Sequence, residues 1–283
     1  MDREALLQNY QTGETDFHGL DLTGIDLSFL ILTGIDLSEV NLFQANLRGT
    51  DLSNATLMSA SCIEADFEGS NLNRADLSMA ELLRVNLSGA RLNLAFCSGT
   101  DLSQADLMMA RLIGTELVGA TLHHANLIGA SLMGANLTAA ILTQANLSRT
   151  YLYEADFRET DLSQTNIKEA LFDHQTHFPN DFDPIAAGAC LIAPGVNLAG
   201  KILSGMRLTG ANLAGANLSA ADLSQVEFTQ GNLAGANLAG ANLAGAFLRG
   251  ANLEGANLEG ANLKGTNLAG AIMPNGSINP LDN

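Results

Sequence analysis

The chain has 283 residues, 30 of them acidic and 13 basic, for a formal net charge of −17. That excess argues against direct binding of nucleic acid, whose phosphates the chain would repel. Mean hydropathy is +0.14, yet no apolar run reaches the roughly 18 residues of a membrane-spanning helix, so no membrane insertion is expected.

Residues 1–14 read as an N-terminal cap. The stretch MDREALLQNY carries acids and no long apolar core, so it is not expected to be a signal peptide. A short amphipathic helix fits it better, with Ala5, Leu6 and Tyr10 packed over the end of whatever follows.

Residues 15–173 repeat every five. From Phe17 to Phe172 every fifth residue is a repeat centre, 32 in all, and 29 of these are Leu or Phe; Cys62, Cys97 and Ile167 are the exceptions. A period of five suits no regular element. On a helix it advances the face by about 140°, and on a flat strand it reverses the side at each step. A chain that turns a corner once per repeat escapes both problems. The centre and the small residue two before it then point inward. The residue between them, usually Asp or Asn, points outward, and the last two positions form the corner. Stacked coils about 4.8 Å apart bury continuous leucine columns, each leucine contributing roughly 1.5–3 kcal/mol. Leu22, Leu47, Leu107 and Leu137 represent that core here. The inward position is unusually large near the start, at Leu20, Ile25, Leu30, Ile35 and Val40, as expected beneath a cap.

Residues 174–195 interrupt the period as an insert. Asp183-Pro184 reads as an N-cap and first helical position and Gly188 as a stop, so one short helix is expected. His174 and His177 are spaced for one side of a turn, but nothing completes a metal set, and no metal is expected. Cys190 is a candidate reactive thiol, whereas Cys62 and Cys97 are expected to be buried and inert. Residues 196–275 form a second block with 16 centres from Leu198 to Met273, including core residues Leu213 and Leu243. Residues 276–283 make a C-terminal tail, and the stretch MPNGSINPLDN from Met273, which breaks the pattern with two prolines, is read as a looser cap. Three cysteines suit a reducing compartment, so a cytoplasmic location is expected.

The A(D/N)LXX pattern, as in ANLAGANLAGAFLRGANLEG, resembles that of the pentapeptide repeat family. The resemblance covers both blocks. It implies an all-β fold: a right-handed, quadrilateral parallel β-helix with four pentapeptides per coil. Carried over, 32 centres make eight coils and 16 make four. The stretches LLQNYQTGETDFHGLDLTGIDL and FPNDFDPIAAGA also resemble cyanobacterial members.

No phosphate loop, GxSxG elbow, HExxH or kinase signature occurs, so neither an enzyme nor a cofactor is expected. What remains is surface. From Thr12 to Asp173 there are 21 acids and eight bases, while Val196 to Met273 carries four of each. Folding the first block at 20 residues per coil stacks Asp16, Asp36, Thr56, Asp76, Phe96, Glu116, Asn136 and Asp156 in one column. Asp16, Asp36, Asp76, Glu116 and Asp156 become candidate contacts for a basic protein partner. Another column, Ile31, Asp51, Asn71, Arg91, Arg111, Ser131 and Tyr151, is not acidic. Phe43, Ile63 and Leu83 stack as an exposed apolar column, either at a partner site or under another segment. His123 and His124 face outward. The resemblance implies two functional classes: a non-enzymatic interaction module or regulator, and a DNA-mimic modulator of DNA gyrase. Members of the second class dimerise through a C-terminal helix, and none is read after Met273.

Overall fold

The computed structural model describes residues 1–280; the last three residues of the expected 276–283 tail lie outside it. The chain divides into two units, Met1–Ala189 and Cys190–Asn283.

The first unit opens with α1, Arg3–Gln11. Asp2 caps it, its carboxylate accepting from the Ala5 amide at 2.9 Å. Leu6 is fully buried and Tyr10 half-buried, its hydroxyl donating to the Thr33 carbonyl at 2.9 Å. Ala5 is exposed, against expectation. Leu6 and Tyr10 are four apart and share a face with Arg3, whereas Ala5 sits about 100° away from Leu6. Arg3 ties the helix down through the Asp26 carbonyl at 2.8 Å.

Beyond α1 the pairing is uniform. Asp16 bridges Asp36 in parallel, Asp21 bridges Asn41, Asp26 bridges Asn46 and Ile31 bridges Asp51, and the same 20-residue step repeats coil after coil. Twenty residues, four pentapeptides, therefore make one turn. Each pentapeptide binds both neighbours: the Asp51 amide donates to the Leu30 carbonyl at 2.8 Å, and the Leu52 amide to Asn71 at 2.8 Å. Leu22, Leu47, Leu107, Leu137, Leu213 and Leu243 are all buried, as are the alanines two before most centres.

Each corner is a β-turn closed by a bond such as the Ala55 amide to the Leu52 carbonyl at 3.0 Å. Its third residue has positive φ whatever its identity: +62° at Gly49, but also +59° at Asn54. The corner demands the left-handed conformation even of residues that resist it, because packing of the coil over-determines it. Threonines at the inward position are satisfied in a way the pattern did not reveal. The buried hydroxyls of Thr50, Thr100 and Thr115 donate to the carbonyls of Leu27, Leu77 and Leu92 at 2.7–2.8 Å. Each is 23 residues back, so the bond exists only once the coil has closed.

The coil continues past Asp173. Strand β1 (Leu171–Phe172) is followed by a pentapeptide with one extra corner residue. Thr176 takes the inward position and donates to the Leu152 carbonyl at 2.8 Å. His177 bridges Asp156, and Phe178 stacks on Phe157 with ring centroids 5.4 Å apart. His174 and His177 are thus a corner and an outward position of the coil, both exposed. The expected helix at Asp183–Gly188 is a single turn. The Asp183 carboxylate accepts from the Ile185 and Ala186 amides at 3.0 Å, and the Asp183 carbonyl accepts from Ala187 at 3.0 Å. The cap forms as read, but Gly188, at φ +99°, ends it before elongation can offset nucleation.

The second unit contains β2 (Cys190–Leu191) and repeats the 20-residue step from Asn197↔Asn217 to Asn252↔Ile272. Its end is tighter than expected. Ile272 pairs antiparallel with Ile278, and the Met273 amide donates to the Ser277 carbonyl at 2.7 Å, so a hairpin closes the last coil.

Candidate interaction surface

The Asp16 row is continuous in the structure. Parallel bridges link Asp16, Asp36, Thr56, Asp76, Phe96, Glu116, Asn136 and Asp156 in that order. The row's aspartates also serve the fold. Asp16, Asp36, Asp76 and Asp156 each accept, through Oδ1, from the amide two residues on, at 3.1, 2.9, 2.9 and 3.0 Å. Asparagines elsewhere do the same, for example Asn136 to Thr138 at 3.1 Å. This explains the choice of Asp or Asn at the outward position: only a short side chain with an oxygen can bend back to cap the corner. Glu116 is too long and accepts instead from Asn136 Nδ2 at 2.9 Å, one coil on. Where Asn follows Asp up a row, as Asn71 on Asp51 or Asn86 on Asp66, its amide donates to the carboxylate at 2.8 and 2.9 Å.

The electrostatics separate the five candidate acids. Asp156 is gripped by the Arg158 guanidinium, which holds its carboxyl below the usual value; its charge is compensated. Asp16, Asp36, Asp76 and Glu116 form no ion pair among the described residues. The Ser38 hydroxyl holds the Asp36 carboxyl below its usual value; the stability this contributes is present above the ordinary carboxylate range and is lost as pH falls through the lowered value. Acids of other rows have cations of their own, as Glu64 has Arg84 at 2.6 Å and Glu68 has Arg48 at 2.5 Å. Phe96 interrupts the row, half exposed between Asp76 and Glu116.

Phe43, Ile63 and Leu83 do stack, but they are half-buried and not exposed. Their corners are linked one coil apart, the Gln44 amide donating to Ile63 and the Glu64 amide to Leu83 at 3.0 Å, so each side chain shelters its neighbour. His123 and His124 touch edge to face, and His123 Nδ1 lies 2.6 Å from the Thr143 hydroxyl. No three His, Cys, Asp or Glu side chains gather as a metal site among the described residues, and no helix there is long and apolar enough to cross a membrane.

Cys190 is buried, which counts against its reading as a candidate reactive thiol. Burial pushes the Cys62 and Cys97 thiols up to about 12, Asp76 adding to the effect at Cys97. A thiol held that high is almost wholly protonated at neutral pH and is a poor nucleophile. All three cysteines are therefore expected to resist Ellman's reagent in the native chain and to react together on unfolding in urea. Prompt labelling of the native chain would contradict this.

The family model for pentapeptide repeats matches in eight copies, over residues 21–57, 35–74, 60–96, 70–108, 97–132, 130–168, 195–230 and 232–273. The chain is a pentapeptide repeat protein. Membership brings with it the right-handed β-helix of that family. Among solved structures, it is similar to HetL, a pentapeptide repeat protein involved in heterocyst differentiation regulation from the cyanobacterium Nostoc sp. strain PCC 7120. Identity is 32%, over 99% of this chain and 100% of HetL, with a TM-score of 0.27. It is similar to alr5209, a pentapeptide repeat protein from Nostoc PCC 7120, at 34% identity over 43% of this chain and 84% of that one, TM-score 0.23. QnrB1, a plasmid-mediated fluoroquinolone resistance protein, matches at 18% identity over 56% of this chain and 82% of its own, TM-score 0.31. Membership rests on the repeats and not on these superpositions. No curated protein matches.

Proposed function

We propose that this pentapeptide repeat protein is a non-enzymatic interaction module whose first unit offers its acidic row to a basic protein. The observation that carries this reading is the row of Asp16, Asp36, Asp76 and Glu116, stacked in register and without an ion pair among the described residues. Unpaired carboxylates along one face sum to a field that steers a cationic partner and fixes its register. Three free cysteines suit a reducing, cytoplasmic setting for this role. A DNA-mimic role against gyrase would need a longer unbroken strip of charge; Thr56, Phe96 and Asn136 interrupt this one.

The test uses Asp36→Asn, Asp76→Asn and Glu116→Gln together, which remove charge while leaving an oxygen for the corner caps at 36 and 76 and for the Asn136 amide at 116. A basic protein captured by the intact chain from extracts of its source cells should be lost as salt rises. The triple variant should bind it roughly tenfold more weakly, mainly through slower association. Capture indifferent to the variant would leave the acids with only their capping role. Inhibition of supercoiling by purified gyrase would favour the DNA-mimic reading instead.

A further inference from the structure

The Ile31 row of the first unit breaks the family's own rule. Parallel bridges order it Ile31, Asp51, Asn71, Arg91, Arg111, Ser131 and Tyr151. At Arg91 and Arg111 the outward side chain has no acceptor, so it cannot cap its corner. The corner amides are bonded nonetheless. The Asn93 amide donates to Asn73 Oδ1 at 3.0 Å, and the Ile113 amide to Asn93 Oδ1 at 3.1 Å. Asn93 Nδ2 adds a second bond to Asn73 Oδ1 at 2.9 Å. In each case an asparagine one coil below supplies the oxygen that the arginine took away. A local rule broken and compensated nearby marks a position kept for something other than the fold.

The arginines are also misplaced electrostatically. They occupy bridged positions in adjacent coils, about 4.8 Å apart, where like charges repel. Both are exposed, and neither forms an ion pair among the described residues. Yet 21 acids lie between Thr12 and Asp173, and Arg48, Arg84 and Arg149 each find one within 2.5–3.2 Å. Each flank also carries an exposed apolar side chain at a corner. On one side Met109 is 56% exposed, its sulfur 2.6 Å from where a Cβ on Gly129 would stand. On the other, Leu94 is 51% exposed, its Cδ2 2.8 Å from the same point on Gly114. Each lies flat over a glycine of the next coil, forming a shelf beside the guanidinium groups.

We propose that Arg91 and Arg111, with the Met109 and Leu94 shelves, form a docking site for an acidic protein segment that carries apolar side chains. Two stacked guanidinium forks suit a pair of carboxylates presented on one side of a bound segment. The shelves offer adaptable apolar contact, which bare phosphate cannot use. The chain's net charge of −17 opposes any acidic ligand, and it opposes a nucleic acid, with a charge on every phosphate, far more than a short peptide carrying a few carboxylates. The site lies on the face next to the acidic row, meeting it at the Leu94 corner, and uses none of its carboxylates.

The test is selection of random twelve-residue displayed peptides against the full chain. Peptides combining Asp or Glu with Leu, Phe or Met should be enriched. A synthetic copy should bind at least tenfold more weakly to the Arg91→Asn/Arg111→Asn variant. Asparagine is a residue type the rows already use at the outward position, so this variant should fold, with its thermal midpoint within a few degrees of the parent. Leu94→Gln should weaken binding several-fold. Basic or uncharged enriched peptides, no enrichment, or binding indifferent to the arginines would overturn the proposal. So would full competition by millimolar inorganic phosphate, which would mark a simple anion site. Self-association abolished by the double variant would overturn it too, by giving the strip to a second copy of the chain.

Discussion

Leu107→Arg is expected to unfold the first unit, whereas Ser103→Arg, four residues earlier, leaves its stability within about 0.5 kcal/mol. Leu107 is fully buried, as are Leu87 and Leu127, the centres one coil below and above. The Leu107 amide is already committed to the Asn126 carbonyl at 2.7 Å, and the Asp106 carbonyl to the Leu87 amide at 2.7 Å. A guanidinium there would find a dry column with no acceptor to spare. The loss combines roughly 1.5–3 kcal/mol of leucine burial with an unpaired buried charge costing several more. Together these reach most of the 5–15 kcal/mol or so that holds a typical domain folded. Ser103 is the first residue of a corner and half-buried. Only its backbone is engaged, its amide on Asp101 Oδ1 at 2.9 Å and its carbonyl accepting from Arg84 at 3.0 Å. Its side chain can lengthen into solvent. Thermal melts followed by circular dichroism would decide, and equal losses in the two variants would reject the inward and outward assignment.

That assignment was legible because it depends on one variable, the five-residue period, and Leu107 satisfies it without help from any distant residue. The 20-residue stacking was legible only through family resemblance, since nothing in a five-residue period fixes how many corners close a turn. Features that depend on the neighbouring coil were not legible. The acids of the Asp16 row read only as outward candidate contacts for a partner, yet Asp76 spends one oxygen on the Ser78 amide. The signal was present in the near absence of Glu and Gln from the outward position, where a solvated face would have used them freely. Phe43, Ile63 and Leu83 read as exposed because the sequence cannot show how closely neighbouring corners shelter one another. The coil's continuation through His177 was hidden by a single extra corner residue. Skipping one position would have revealed Thr176, His177 and Phe178 as small, outward and centre. The asparagines that stand in for a missing cap at Arg91 and Arg111 lie 20 residues before the amides they serve, a distance meaningful only once the coil is known.

Gly231→Ala should destabilise the second unit by about 1–3 kcal/mol, although alanine is the commonest residue at its position in the repeat. On backbone grounds the change should help. Gly231 is not among the positive-φ glycines, and alanine would narrow the unfolded ensemble by about 0.4–1 kcal/mol. Packing reverses the sign. A Cβ at Gly231 would stand 2.0 Å from Cε1 and 2.2 Å from Cδ1 of Phe228, both ring atoms of a fully buried side chain. Phe228 fills a centre that most coils give to leucine, and its ring occupies the volume that the next inward alanine would need. Glycine is there because phenylalanine is. The ring is buried in a close-packed column, so shifting it to admit the methyl group strains its neighbours. Phe228→Leu alone should also destabilise, by leaving a cavity beside the glycine. The double variant Phe228→Leu/Gly231→Ala restores the common pairing and should recover most of both losses. Urea melts of the four proteins in a double-mutant cycle should therefore give a favourable coupling of about 1–3 kcal/mol. If Gly231→Ala alone raised the midpoint, or if the two changes simply added, the exchange of volume between these two positions would be refuted.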